Sequence, residues 1–165
     1  MDLTLLTTEG KLNIRVAAVI LNEGKILVEQ GLRANYSVCP GGRVKFGETA
    51  EQAIERELTE ELGEKPCVIR PLYVYQNFFD IDGYKCHELC FFFLVEVVQS
   101  ICEKQSMNNL NGTSSFRWVD VAELPNMMFY PTVLKQSVNN LPKHLTMITE
   151  YKEGFLYGIG KRNDE

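Results

Sequence analysis

Apolar positions in this chain fall mostly into short strand-like blocks, and one stretch repeats them at helical spacing. Asn13 to Leu21 (NIRVAAVIL) predicts a buried strand, Asn22-Glu23-Gly24 a turn, and Lys25 to Gln30 (KILVEQ) the antiparallel partner. Cys67 to Ile81 and Tyr84 to Val98 are rich in β-branched and aromatic residues on either side of the hairpin signal Asp82-Gly83, so two long strands are expected there. From Leu89 to Val95 both alternating faces are apolar, which predicts a sheet covered on both sides by helices. A short strand is expected at Ser115 to Val119 (SFRWV), followed by an acidic turn at Asp120 to Pro125. A helix should then run from Pro131 to Leu141, with Pro131 in its first turn.

The helical stretch is the best signalled element. Ala50, Ala53, Ile54, Leu58 and Leu62 form an apolar stripe, Thr49 stands at the N-cap with Gln52 at capping-box spacing, and Gly63 ends the helix. Ahead of it, Pro40-Gly41-Gly42 and Gly47 make a loop that brings bare backbone close to the helix start. Gln99 to Ser114 reads as a polar loop. The tail from Leu145 to Glu165 has an apolar half that can pair as an extra strand or pack on a partner, and Lys161 to Glu165 should be frayed.

The composition fits a single domain over residues 1–165, with its core at about 13–141: 165 residues, 45% hydrophobic and a net charge of −5. With no basic tract, extended nucleic-acid binding is not expected. No apolar run is long enough for a membrane span, and Met1 to Lys11 lacks a signal-peptide layout, so a cytoplasmic protein is expected, with a homodimer left open. The five cysteines are an odd number without scaffold spacing and should be reduced thiols. Cys86 and Cys90 would stand about 13 Å apart along a strand, too far for one zinc ion. His87, a lone histidine, is expected at a pocket rim or in solvent.

Chemistry enters with the polar side of the same helix. Glu57, Glu60 and Glu61 share one patch about a turn deep. Three carboxylates so close repel unless a cation or basic partner neutralises them, and hard oxygen ligands of this kind suit Mg2+ or Mn2+.

The spacing G-x5-E-x7-R-E-U-x-E-E-x-G-U, with U aliphatic, is present as Gly42, Glu48, Arg56, Glu57, Leu58, Glu60, Glu61 and Gly63, and in this the chain resembles the Nudix hydrolases. Glu64 departs from the pattern at the last position, and Cys39 stands before Pro40 where family members often carry a bulky residue. The resemblance implies a Nudix α/β/α sandwich with a mixed β-sheet between helices. It also implies a metal-dependent pyrophosphohydrolase that cleaves a phosphoanhydride bond in a nucleoside diphosphate linked to another moiety, by attack of water at phosphorus.

Carried over residue by residue, Glu57, Glu60 and Glu61 are the metal ligands, joined by the Gly42 carbonyl. Arg56 orients a glutamate, with Glu48 its natural partner, and Glu57 or Glu61 is the general base, Glu57 first. Family members often supply a further metal-binding glutamate from a later loop, but Ser106 to Ser115 is free of acidic residues; Glu88 is the first candidate to replace it and Glu103 the second. Glu88 shares a strand parity with Glu96, opposite to His87, and is expected to project toward the acidic helix, while Glu96 is expected in solvent. For contacts to the small-molecule nucleotide, Arg15, Arg33, Tyr75 and Phe79 lead, with Phe78, Tyr84 and Trp118 behind them, and most of these aromatics should prove to be core. Nucleoside triphosphates, nucleotide sugars, dinucleoside polyphosphates and capped-RNA-like ends all fit the box. A non-catalytic nucleotide-binding module of the same fold is the alternative, and the intact box argues against it. An isoprenoid diphosphate isomerase would need Cys39 paired with a glutamate for proton transfer to carbon.

Overall fold

The computed structural model describes residues 1–81 and 83–152. Asp82 of the hairpin signal and the expected frayed end, Lys161 to Glu165, lie outside the described residues. Eleven strands are described: β1 (Thr4–Leu6), β2 (Lys11–Asn22), β3 (Lys25–Gly31), β4 (Ser37–Val38), β5 (Gly41–Arg43), β6 (Cys67–Ile81), β7 (Tyr84–Glu96), β8 (Ser106–Asn108), β9 (Ser114–Asp120), β10 (Phe129–Tyr130) and β11 (Thr146–Tyr151). Three α-helices accompany them, α1 (Ala50–Leu62), α2 (Gln99–Cys102) and α3 (Leu134–Ser137), together with a 3-10 turn at Leu124–Asn126.

The main strand order is β10-β4-β3-β2-β7-β6-β11, a mixed sheet in which β2 lies parallel to β7 and β11 parallel to β6. One edge of β2 pairs with β7 from Lys11 to Ile20, while its other edge meets three partners in succession. These are β1 at Lys11 to Asn13, β5 at Arg15 to Ala17 and β3 at Leu21 and Asn22. The hairpin expected between β2 and β3 is therefore antiparallel over only two residue pairs, through a turn in which Glu23 (φ 48°) and Gly24 (φ 77°) are both left-handed. On its other edge β3 pairs with β9 over all seven of its residues, and beyond Ile26 it parts from β2, whose edge is taken by β5 at Arg15 to Ala17. The sheet opens where the strands part.

Helix α1 forms as its sequence predicts. Thr49 Oγ1 accepts from Gln52 N at 3.2 Å and Gln52 Oε1 accepts from Thr49 N at 2.9 Å, closing the capping box, and Gly63 ends the helix at φ 80°. Its Ala53, Ile54, Leu58 and Leu62 pack on Val16, Ala18, Ile20, Phe93 and Val95. The opposite parity of β2 and β7, Ala17, Val19, Cys90 and Phe92, forms a second core with Tyr73, Leu124, Phe129, Leu134 and Val138. The double-sided apolar run of β7 is thus covered on both faces. On the second face the cover differs from the expected Pro131–Leu141 helix: α3 holds four residues and starts three residues after Pro131. Thr132, Val133, Val138, Asn139 and Asn140 are weak helix formers, and α3 forms little more than one turn. The polar stretch after β7 holds α2 and β8 rather than loop alone, and β11 is the extra strand that the tail made available. Among the described residues no helix is long and apolar enough to cross a membrane, and the five cysteines, all among them, form no disulfide.

Candidate active site

The Gly-Gly loop becomes β5, whose Gly42 pairs with Val16 and faces α1. A Cβ on Gly42 would overlap the Glu57 carboxylate and push it aside, so the glycine serves close approach of that side chain rather than backbone freedom. Arg43 N donates to Glu57 Oε1 at 3.2 Å. Glycine on the strand and glutamate on the helix are therefore packed directly against one another.

Arg56 ties the loop to the helix. Its Nε donates to Glu48 Oε1 at 2.6 Å and its Nη2 to Glu48 Oε2 at 2.9 Å, a two-pronged charge-assisted contact. Nη2 also donates to the Arg43 carbonyl at 3.0 Å, and Nη1 lies 2.9 Å from Glu57 Oε1 and 3.4 Å from Glu60 Oε2. Glu48 accepts from Lys45 N at 2.9 Å as well, and the Arg56 hydrogen bonds hold its carboxyl down to about 2. Arg56 is in turn pushed up by the same partner.

The three box glutamates form a gradient of exposure. Glu60 is open to solvent, Glu57 is half-buried and Glu61 is 8% exposed. Burial first, then the charges of Glu29 and Glu57, push the Glu61 carboxyl up to about 8, against the pull of an Asn109 hydrogen bond and of Arg15. Glu61 Oε1 accepts from Asn109 Nδ2 at 3.1 Å, while the buried Oε2 has no partner among the described residues.

Glu29, Asn109 and Ser114 escaped the reading of the sequence. Glu29, on β3, accepts from Ser114 Oγ at 2.6 Å, and Ser114 Oγ accepts from Asn109 Nδ2 at 3.1 Å. Burial pushes the Glu29 carboxyl up. The only signal available was a glutamate ending an otherwise apolar strand, which is too common to single out.

A cleft of about 690 Å³ occupies the opening between the parted strands. Of the residues proposed for substrate contact, Arg15, Tyr75 and Phe79 line it. The others are elsewhere. Arg33 is exposed outside the cleft lining, on a loop that turns outward with Leu32. Phe78 has the other strand parity and stacks between His87 and Tyr151, with ring centroids 4.3 and 4.7 Å away. Tyr84 is exposed at the hairpin end, and Trp118 packs in the α1-side core with its Nε1 donating to the Ile101 carbonyl.

Glu88 is not gathered with the box. It has the parity of Cys90 and Phe92, on the face of β7 away from α1, and lies 3.7 Å from Arg15 in the cleft. The expected projection toward the acidic helix fails because α1 covers the other parity. Glu103 caps α2 and is exposed, as is Glu96. Cys39 is a buried core thiol pushed up by burial, unsuited to proton transfer.

A NUDIX domain family model matches residues 11–137. The chain belongs to the Nudix family. The Nudix box is intact from Gly42 to Gly63. It is 29% identical over 122 residues to "Putative mutator protein MutT4" of Mycobacterium tuberculosis (strain CDC 1551 / Oshkosh), covering 74% of this chain and 45% of that protein, so it spans less than half the length of that relative. To the "Putative 8-oxo-dGTP diphosphatase" of Bacillus subtilis (strain 168) it is 28% identical over 137 residues, 82% of this chain and 77% of the relative. The solved MutT protein of Bacillus halodurans superposes with a TM-score of 0.64 at 16% identity, over 87% of this chain and 92% of that one, a likeness of fold.

Among the described residues no three His, Cys, Asp or Glu side chains already converge as a metal cage. The donor set nonetheless fits a hard divalent cation: carboxyl oxygens, one of them buried and unpartnered, beside a glycine that leaves room for approach.

Proposed function

We propose that this Nudix domain hydrolyses a phosphoanhydride bond of a small nucleotide, a nucleoside diphosphate linked to a further phosphate, sugar or similar group, by attack of water at phosphorus. The observation that carries this reading is the Arg56–Glu48 fork, which locks the box against Gly42 while Glu61 keeps a buried oxygen without a partner. Glu57, Glu60 and Glu61, with the Gly42 carbonyl, would hold Mg2+ or Mn2+, and Glu29 stands near enough to Glu61 to add a further carboxylate. A divalent cation bound there neutralises polyphosphate charge and lowers the cost of forming hydroxide. Arg56 orients Glu57, and the attacking water gives its proton to Glu57 or Glu61. Arg15 lies between the acidic cluster and the cleft, close enough to lower the Glu61 and Glu29 carboxyls, and is the cation best placed for a substrate phosphate. The name of the Bacillus subtilis relative favours nucleoside triphosphates within this class, and cysteines without disulfides accord with a cytoplasmic setting.

The test is a panel of nucleoside triphosphates, nucleotide sugars and dinucleoside polyphosphates with Mg2+ or Mn2+, read by product chromatography. Hydrolysis of at least one, abolished by chelator, is expected. Turnover that persists in chelator, or no turnover across the panel, refutes the reading.

A further inference from the structure

The cleft floor carries a polar row that the hydrolytic step does not use. Asn13 of β2 is in register with Glu88 of β7, and Glu88 with Asn77 of β6. Neighbouring strands lie about 4.8 Å apart, so the row spans about 10 Å across the sheet. All three side chains line the cleft. Asn13 and Asn77 are 6% and 8% exposed, and the Glu88 side chain 16%.

Their hydrogen bonds are incomplete in a directional way. Asn13 Oδ1 accepts from Thr4 Oγ1 at 3.1 Å, which leaves its NH2 as the free end. Glu88 lies 3.7 Å from Arg15 Nε, beyond hydrogen-bond distance, and an ionised carboxylate only accepts. Asn77 makes no side-chain hydrogen bond with the described residues, and its Oδ1 is sealed from solvent. A buried amide oxygen without a donor is uncommon, because its desolvation is uncompensated, and rotation of the amide would bring that oxygen to the cleft, where a ligand can supply the donor. The row therefore offers a donor, an acceptor and an amide that can act as either.

The walls are aromatic. Tyr36 and Tyr130 meet edge to face with centroids 5.6 Å apart, and Lys152 sets its ammonium 3.9 Å from the Tyr130 centroid and 5.2 Å from that of Phe79. Aromatic walls over a polar floor suit a flat heterocycle standing on its edge.

Resting on the nucleotide-hydrolase reading above, we propose that Asn13, Glu88 and Asn77 read the edge of the nucleobase and select lactam bases, of the guanine, hypoxanthine and uracil types, over adenine and cytosine types. Glu88 is the discriminator. In a lactam base the ring N–H donates to Glu88, the adjacent carbonyl accepts from the Asn13 NH2, and the third group on the edge meets whichever end of the Asn77 amide complements it. In adenine or cytosine the same ring nitrogen carries a lone pair, which faces the carboxylate lone pairs and leaves both unpaired.

The experiment is calorimetric titration of the full chain, in Mg2+, with the α,β-methylene diphosphates of guanosine, uridine, adenosine and cytidine, whose bridging position resists hydrolysis. The guanosine and uridine compounds should bind about tenfold or more tightly than the other two. In Glu88→Gln, whose amide can donate to a ring nitrogen or accept from an N–H, the preference should fall to within about threefold, through tighter adenosine and cytidine binding. Asn77→Ala should weaken the lactam pair and leave the other pair unchanged. Equal wild-type binding of all four, or an unchanged preference in a normally folded Glu88→Gln, overturns the row and leaves the hydrolase reading standing. Methylenediphosphonate binding as tightly as the guanosine compound would show that no base is read, and overturns it too. Failure of all four to bind overturns the row, and the hydrolase reading falls with it only where the turnover panel is blank as well.

Discussion

Asn109 donates its Nδ2 to Glu61 Oε1 at 3.1 Å across 48 residues of chain. The same nitrogen donates to Ser114 Oγ, and Ser114 donates to Glu29, so the buried Glu61 and the half-buried Glu29, from different elements, are held by one chain of neutral donors. Asn109→Ala leaves the Glu61 carboxyl without its hydrogen bond. A loss of about 1–2 kcal/mol in urea denaturation is expected, with weaker Mn2+ binding by calorimetry. An unchanged midpoint together with unchanged Mn2+ affinity would mean that the Asn109 contact is incidental.

Glu61→Gln should lower turnover by about two orders of magnitude or more and leave the fold intact. Its stability effect has a definite sign. The folded carboxyl, at about 8, binds its proton more tightly than the unfolded one near 4.5, so its contribution to metal-free stability is present below pH 4.5 and is lost as pH rises toward 8. The thermal midpoint of Glu61→Gln minus that of wild type, both in chelator, should therefore increase from pH 5 to pH 8. A difference independent of pH would contradict the burial argument.

Glu48 has the opposite sign. Arg56 holds its carboxyl at about 2, below the usual 4.5, so its contribution is present above pH 4.5 and is lost as pH falls toward 2. Glu48→Gln should be less stable than wild type at neutral pH, with the gap closing on acidification, as followed by circular dichroism. Arg56→Lys should not restore the fork, because one ammonium cannot make the two parallel contacts to Glu48.

Thr49→Ala removes the N-cap hydrogen bond and opens the capping box. It should cost about 1 kcal/mol in chemical denaturation and reduce activity in proportion to the folded population alone. A large drop in turnover with an unchanged denaturation midpoint would assign Thr49 a role at the site.

What the chain itself determined is local in origin. Thr49 and Gln52 cap α1 through contacts three residues apart, Gly63 stops it, and Arg56 reaches Glu48 and Glu57 within eight residues, so spacing alone was enough to place them. The double-sided apolar run of β7 likewise foretold a sheet buried on both faces. The Pro131–Leu141 helix shrank to the turn around Lys135 and Gln136 because an apolar pattern needs helix-forming residues throughout, and here β-branched Thr132 and Val133 stand before that turn and Val138, Asn139 and Asn140 after it. Only the tertiary structure decided which carboxylates meet. Glu29 reaches Ser114 across 85 residues, and Glu88 stands away from α1 beside Arg15. The first depends on β9 pairing with the outer edge of β3, and the second on which parity of β7 is covered by α1. Strand partnership is settled by competition among non-local edges, and the residues of β2 and β3 alone do not encode that competition.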